Sequence, residues 1–292
     1  MAANPHPFSS RRSTSSSAVL VTGCSSGIGR AAVVRLLTTG RPVYATARRP
    51  ETLADLEKAG ATALALDVTD EATMLAAVER VEADHGAVGA LVNNAGYGLQ
   101  GPVEETSIGE VRRQFETNVF GLVRLTQLVL PGMRAQRSGR IVNVSSLGGR
   151  LVFPGGAFYH ASKFSVEAIS DALRLEVGGF GVRVSVIEPG PVLTAWVDTA
   201  VSTASEMPDP SGPYAEFRRR LAERVAGAYD GRTLNMASSA DAVARVITRA
   251  VTSRVPRSRY PVGPVAHALI TTRRLLPDVA FDRLMRTVYP TP

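Results

Sequence analysis

Cysteine is almost absent, with Cys24 the single copy in 292 residues. An internal disulfide is therefore excluded, and the chemistry cannot depend on an oxidising compartment. Histidine is nearly as scarce, with four copies, and no His/Cys cluster shows zinc-ligand spacing. No stretch reaches the ~18–20 apolar residues needed to cross a bilayer as a helix. Residues 1–17 hold no acidic residue and no apolar run. Rich in Ser, Pro and Arg, they bury too little surface to order themselves, so a disordered tail is expected. They resemble an organelle transit peptide only loosely and lack the apolar stretch of a secretory signal, so the expected compartment is the cytoplasm.

Apolar residues are plentiful, at 45% against 20% charged, which is enough to bury a full core. The net charge of +7 raises the question of a nucleic-acid partner. The basic residues are scattered, however, and the densest run, Arg218-Arg219-Arg220, has Glu216 and Glu223 beside it. That is the pattern of a solvated helix face. No recognition module accompanies it, so no nucleic acid is expected.

From Ala18 onward, short apolar runs alternate with amphipathic stretches. Strands are predicted at 18–21, 43–47, 62–66, 90–92, 141–144, 182–187 and 259–262. Helices are predicted at 27–39, after Pro50, from Asp70 to His85, over one long stretch at 108–136, at 156–177, and from a Ser239 cap through Val251. Strands apolar on both faces and separated by helices imply a parallel sheet covered on each side. The fold class is therefore α/β, a doubly wound parallel sheet of the Rossmann type. No linker divides the chain, so a single domain is expected over 18–263. Residues 194–237 interrupt its last strand–helix unit and 264–292 extend past its final strand, and insertions of that length tend to be functional.

Thr22-Gly23-Cys24-Ser25-Ser26-Gly27-Ile28-Gly29 lies between the first strand and the first helix. Gly23 permits the tight turn, Gly27 lets backbone approach a pyrophosphate, and Gly29 allows close packing of helix and strand. The free N–H groups at the helix start then face the phosphates. The Gly-x3-Gly-x-Gly spacing resembles the short-chain dehydrogenase/reductase family, in its short single-domain branch. About 20 residues on, nucleotide-binding folds of this kind place a carboxylate on the ribose for NAD, or an arginine for a 2′-phosphate. Here the second strand ends Ala45-Thr46-Ala47-Arg48-Arg49, with no carboxylate, so Arg48 predicts NADP(H).

Tyr159-His160-Ala161-Ser162-Lys163 reads as helix, which puts Tyr159 and Lys163 on one face. A tyrosine with a pKa near ~10 is a poor base at neutral pH, and a neighbouring ammonium favours its phenolate. Tyr-x3-Lys alone is common by chance. Ser145 at the end of the fifth strand and Asn118 in the preceding helix complete the family's set of Asn, Ser, Tyr and Lys in this order. The resemblance implies that Tyr159 exchanges the substrate proton and Ser145 donates to the substrate oxygen. Lys163 would lower the tyrosine pKa and hold the nicotinamide ribose, while Asn118 would hold a relay water. It further implies cofactor contacts from Gly23, Ser25, Ser26, Gly27, Ile28 and Gly29. Asp67 and Val68 would sit near the adenine, with Asn94, Ala95 and Gly96 near the ribose. Pro189, Gly190, Val192 and Thr194 would sit over the nicotinamide. His160 is expected to point to another face and to be incidental.

Trp196, Val197, Met207, Tyr214, Phe217, Met236, Phe153 and Tyr97 are candidates to line an apolar pocket, which suggests an apolar ketone or alcohol as substrate. Tyr97–Glu104 and the tail resemble a subgroup related to retinol and 17β-hydroxysteroid dehydrogenases. The basic, amphipathic tail at 265–289 is expected to pack on the domain rather than touch a membrane. By family analogy a homodimer pairs the helices around Asn118 and Tyr159. The rival reading is a regulatory protein that senses NADP(H) without turnover; relatives of that kind usually lose the tyrosine or lysine, and both are present here.

Overall fold

The structure, a computed structural model, describes residues 15–193, 212–227, 237–289 and 291. A seven-stranded, wholly parallel sheet runs in the order β3-β2-β1-β4-β5-β6-β9. Its strands are β1 (Val19–Val21), β2 (Val43–Ala47), β3 (Thr62–Ala65), β4 (Ala90–Asn93), β5 (Gly139–Val144), β6 (Val182–Pro189) and β9 (Arg259–Val262). The strand order reverses between β1 and β4, and ligands of doubly wound sheets bind at the carboxyl ends beside such a switch. Register follows Val19 opposite both Val43 and Ala90, and Ala90 opposite Arg140.

Alternation along each strand feeds two cores. Val19, Val21, Ala90, Val92 and Val142 face α1 (Gly27–Leu37) and α8 (Ala240–Thr252) through Val33, Leu36, Val243 and Ile247. Leu20, Leu91, Ile141 and Val184 face the other way. There they meet α3 (Glu71–His85), α5 (Gly121–Ala135) and α6 (Ala157–Val177) through Met74, Val81, Leu125, Val129 and Leu173. Both faces are dry, as expected of a parallel sheet, and truncating a fully buried leucine such as Leu20 to alanine costs about 2–5 kcal/mol.

Helix α2 (Ala54–Lys58) links β2 to β3 after a short 3-10 turn. The expected caps form: Asp70 accepts from Ala72 N, and Ser239 accepts from Ala242 N. Two expectations need correction. The long helix is not regular: α4 (Ile108–Phe115) passes through a π-helical turn at Glu116–Phe120 before α5. Order begins before Ala18, because Ser16 N donates to Gln136 Oε1 at 2.8 Å. The stretch 194–237 is bracketed by a small parallel pair, β7 (Val192–Leu193) with β8 (Ser238–Ser239), and its described part holds helix α7 (Ala215–Gly227), where the sequence shows a solvated helix face. Arg219 pairs Glu216 and Glu223, and Arg220 pairs Glu216, on an exposed face, whereas Arg218 turns inward to Glu105.

Past β9, α9 (Pro264–Leu275) and α10 (Asp278–Val288) fold back to build a third apolar cluster. Ala266, Ile270, Phe281 and Met285 pack there on Leu147 and Leu151, just beyond the end of β5. Among the described residues, no helix is long and apolar enough to cross a membrane.

Candidate active site

The loop after β1 is held open by its own backbone and by β4. Gly23 has φ +70°, a conformation that favours glycine. Gly29 is needed for close approach. A Cβ there would stand 2.3 Å from Gly23 O and 2.5 Å from Asn94 Nδ2, so the contact is with the loop and Asn94 rather than with a strand. Asn94 Nδ2 donates to Thr22 O at 2.9 Å and Gly23 O at 3.1 Å, while Thr22 Oγ1 accepts from Asn94 N and Ala95 N, both at 3.0 Å. The Asn-Asn-Ala-Gly turn thus clamps the glycine loop. Ser25 and Ser26 are exposed, and Ser26, at the N-cap of α1, makes no side-chain cap bond. Helix-start N–H groups beside a glycine turn form a cradle for a pyrophosphate, so these residues fit a dinucleotide. Ile28 packs inward against the core.

Arg48 and Arg49 are exposed at the end of β2, and neither forms an ion pair among the described residues. Asp67 is engaged locally: its Oδ1 accepts from Thr69 N at 2.9 Å and Thr69 Oγ1 at 2.8 Å, the turn that its sequence also allows. Val68 is buried, and its carbonyl lies 2.3 Å from where a Cβ on Gly121 would stand. Gly190 N donates to Val262 O at 3.0 Å, which ties the Pro189–Gly190 turn to β9, and Val192 is buried in β7. Thr194, Trp196, Val197, Met207 and Met236 lie outside the described residues.

The four expected catalytic side chains meet at the carboxyl edge of β4 and β5. Asn118 sits in the π turn, 1% exposed. Its Nδ2 donates to Tyr97 O and to Ser162 Oγ, both at 3.0 Å, and its Oδ1 accepts from Tyr97 N at 3.1 Å. A buried asparagine needs such partners. Ser162 Oγ donates onward to Tyr159 O at 2.7 Å, joining the π turn to α6. Lys163 is buried; its Nζ donates to Val144 O at 2.9 Å and stands 5.9 Å from the centre of the Tyr159 ring. Burial pulls its pKa from 10.5 to about 8, while Glu167 opposes that fall. A Cβ on Gly96 would stand 3.0 Å from Asn118 Oδ1 and 3.6 Å from Lys163 Nζ, so Gly96 belongs to the same corner. Ser145 is buried at the end of β5, beside Val144.

His160 is not incidental to the architecture. It is fully buried, its Nδ1 lies 3.0 Å from Gly148 O, and burial lowers its pKa to about 4. Phe153 packs edge-on against it at 4.2 Å and stacks on Tyr289 at 4.6 Å, which connects the end of α10 to the helix of Tyr159. Arg224 of α7 lies over the Tyr289 ring at 4.2 Å. Of the other expected pocket residues, Tyr97 is half-buried, Phe217 is buried, and the Tyr214 hydroxyl donates to Glu104 at 2.8 Å.

A family model for short chain dehydrogenases matches residues 17–205. The chain is a short-chain dehydrogenase/reductase. It is an oxidoreductase of that family, and its relatives resemble it over nearly their whole length. It is 36% identical over 270 residues to the uncharacterized oxidoreductase YbbO of Escherichia coli K12, covering 92% of this chain and 93% of that one. It is 34% identical to 3-ketodihydrosphingosine reductase of Bacteroides thetaiotaomicron, over 93% of this chain and 97% of that one. A solved short-chain dehydrogenase from Streptomyces avermitilis superposes with TM-score 0.75 at 34% identity, covering 94% and 96% of the two chains. Serine dehydrogenase complexed with NADP+ superposes at 0.73 with 29% identity, covering 85% and 95%. A family member from Burkholderia phymatum complexed with NAD superposes at 0.74 with 25% identity, covering 90% and 93%.

Several residues that shape this dehydrogenase's site carry no motif that sequence reasoning uses. Gln114 Nε2 donates to Tyr97 O at 2.7 Å and its Oε1 accepts from Leu99 N at 2.8 Å, so it holds the loop that Asn118 also grips. Asn93 donates to Thr126 Oγ1 and Asn143 Oδ1, and Asn143 donates to Ser170 Oγ, forming a buried polar ladder across β4, β5 and α6. The Asn-Asn repeat was the one available hint of it.

Proposed function

We propose that this short-chain dehydrogenase/reductase moves a hydride between NADP(H) and an apolar ketone–alcohol pair, working as a homodimer in the cytoplasm. One observation carries the reading: Tyr159, a buried Lys163, Ser145 and Asn118 converge where β4 and β5 end, beside the Gly23–Gly29 cradle. When bound, the nicotinamide supplies or accepts the hydride. Tyr159 gives its phenolic proton to the carbonyl oxygen in reduction and takes the alcohol proton in oxidation. Ser145 donates a hydrogen bond to the same oxygen and steadies its developing charge. The Lys163 ammonium favours proton loss from Tyr159 and binds the cofactor's ribose hydroxyls. Asn118 holds a water that relays protons to solvent through Lys163.

Arg48, exposed and without an ion pair among the described residues, at a strand end that lacks a carboxylate, supports NADP(H) through a charge-assisted grip on the 2′-phosphate. Ser25, Ser26 and the first turn of α1 take the pyrophosphate, with Asp67 and Val68 toward the adenine, Asn94–Gly96 along the ribose and Pro189–Thr194 over the nicotinamide. An apolar substrate is supported by Phe153 beside His160 and by the buried Leu99 in the loop held by Gln114, and one relative is named 3-ketodihydrosphingosine reductase. Residues 194–237 serve as the lid and 264–292 as its support. Exposed Phe120 and Phe164, on the two helices expected to pair, support the homodimer.

The test is NADPH consumption with a panel of acetophenone, cyclohexanone and long-chain methyl ketones, on wild type and Tyr159→Phe. Turnover by wild type is expected to fall by about 1,000-fold or more in the variant, with NADPH affinity kept. Near-normal turnover by Tyr159→Phe would overturn the mechanism.

A further inference from the structure

The mechanism above leaves one buried carboxylate without a task. Glu167 lies one turn past Lys163 on α6 and is 5% exposed. Its Oε2 accepts from Arg259 Nε at 2.9 Å. Arg259 also donates to Asp171 at 2.6 Å and approaches Glu188 at 3.3 Å, and Glu188 receives Arg150 at 2.8 Å. One side of the Glu167 carboxylate is therefore anchored in an ion-pair network spanning α6, β6 and β9. The other side is different. Among the described residues, neither Glu167 Oε1 nor Ser145 Oγ, both buried, has a hydrogen-bond partner of normal geometry. Buried polar groups left unmatched are costly, so two in one corner call for a reason.

The two groups adjoin. A Cβ placed on Gly149 would stand 2.6 Å from Ser145 Oγ, 3.0 Å from Glu167 Cγ and 3.0 Å from Lys163 O. Only a residue without a side chain lets the turn after β5 close over the pair. Burial first, then Glu188, raises the Glu167 pKa, and the Ser145 hydroxyl and Arg259 draw it back. The serine hydroxyl therefore lies close enough to hydrogen-bond the carboxyl, although the pair falls short of normal hydrogen-bond geometry. A third group completes the arrangement when the serine hydroxyl engages a substrate oxygen.

We propose that Glu167 is a positioning residue for Ser145: its Oε1, anchored through Arg259, holds the serine side chain in the rotamer from which the hydroxyl turns its single proton to the substrate oxygen. The proposal rests on the role given to Ser145 above. Arg259 holds the carboxylate from behind, Gly149 admits it, and the Ser145 side chain keeps one rotamer instead of searching three, with its O–H free to swing to the substrate. No bond is made or broken by Glu167, and its effect passes entirely through Ser145.

A double-mutant cycle tests this. The kcat and KM for the panel ketone turned over fastest, and the Kd for NADPH, are measured in wild type, Glu167→Met, Ser145→Ala and the double variant. Glu167→Met is expected to lower kcat about 10- to 100-fold, the scale of a misplaced catalytic group, with KM and NADPH Kd within about twofold of wild type. In the Ser145→Ala background the same change is expected to alter kcat less than about twofold. Glu167→Asp keeps the charge facing Arg259 but withdraws the carboxylate by one methylene, so it is expected to reproduce the loss even if the methionine variant folds poorly. Glu167→Gln, which keeps a polar atom on both sides, is expected to stay within about threefold of wild type. Urea midpoints of the cofactor-free proteins supply a second readout, and non-additive destabilisation by the two substitutions is expected there. Losses that multiply in the double variant, or an unchanged kcat in both Glu167→Met and Glu167→Asp, would overturn the proposal. Wild-type kcat in Ser145→Ala is a separate failure: it would sink the role of Ser145 itself, and any action of Glu167 through it.

Discussion

Lys163→Met exchanges a buried ammonium for an uncharged side chain of similar length, and the structure sets the size of the effect. The folded pKa is about 8 against an ordinary 10.5, because burial disfavours the charge. The unfolded chain therefore binds the proton more tightly. The resulting cost is absent above pH 10.5, grows as the pH falls toward 8, and is complete below it, at about 3 kcal/mol. Methionine escapes that cost but forfeits the bond to Val144 O, worth about 1.5–3 kcal/mol for a charged donor. The two nearly cancel at pH 7, so the variant is expected to match wild-type stability there within about 1 kcal/mol. At pH 9.5 wild type has recovered about 2 kcal/mol, and the difference shifts by that amount in its favour. Urea unfolding followed by far-ultraviolet circular dichroism at both pH values measures this, while turnover is expected to fall by orders of magnitude. A variant that loses more than about 4 kcal/mol at pH 7, with the same difference at pH 9.5, would refute the reasoning.

Arg48→Asp is expected to raise the KM for NADPH about 10- to 100-fold and to improve NADH use, as loss of a charge-assisted grip predicts; a wild type that already uses NADH at least as well would remove the premise. Gly29→Ala is expected to abolish tight NADPH binding by fluorescence titration, because its Cβ would meet backbone at 2.3 Å. His160 has a folded pKa of about 4 against 6.5, so its contribution to stability is present above pH 6.5 and is lost as the pH falls toward 4. Wild type is therefore expected to lose about 3 kcal/mol more than His160→Gln over that range in urea titrations, and equal losses would contradict a buried neutral imidazole.

The sheet was legible because its central strands are apolar on both faces and helical periodicity lies between them. Arg259–Val262, a short strand at the sheet edge, was readable from the alternation that turns Tyr260 and Val262 inward. The Asp70 and Ser239 caps were readable because a short polar side chain before an apolar-periodic run has one economical use. Helix α7 was legible as a solvated helix face from its Arg–Glu pairs at i+3 and i+4, but its inward contacts, Arg218 to Glu105 and the buried Phe217, depend on distant chain and were not. The β7–β8 pair involves two residues per strand, too few for any period. Arg259 meets Glu167 and Asp171 from 92 and 88 residues away, so no local pattern announces the network behind Ser145. Among the catalytic residues, Lys163 and Tyr159 were legible as a helical pair. The burial of Lys163 was not, since lysine spacing looks the same on a wet face.

The π turn at Glu116–Phe120 lies where the site meets the core. Gln114 and Asn118 both bind the Tyr97 loop, so the first half of this helix must face β4's carboxyl end. Gly121, Leu122, Leu125 and Val129 must face Val68 and the sheet, where a Cβ at Gly121 would stand 2.3 Å from Val68 O. At about 100° per residue these positions fall on one stripe of a regular α-helix, so burying them does not by itself require the wider turn. What the turn carries is Asn118, whose side chain reaches both the Tyr97 loop and Ser162 of α6, and π turns inside α-helices are frequent at functional sites.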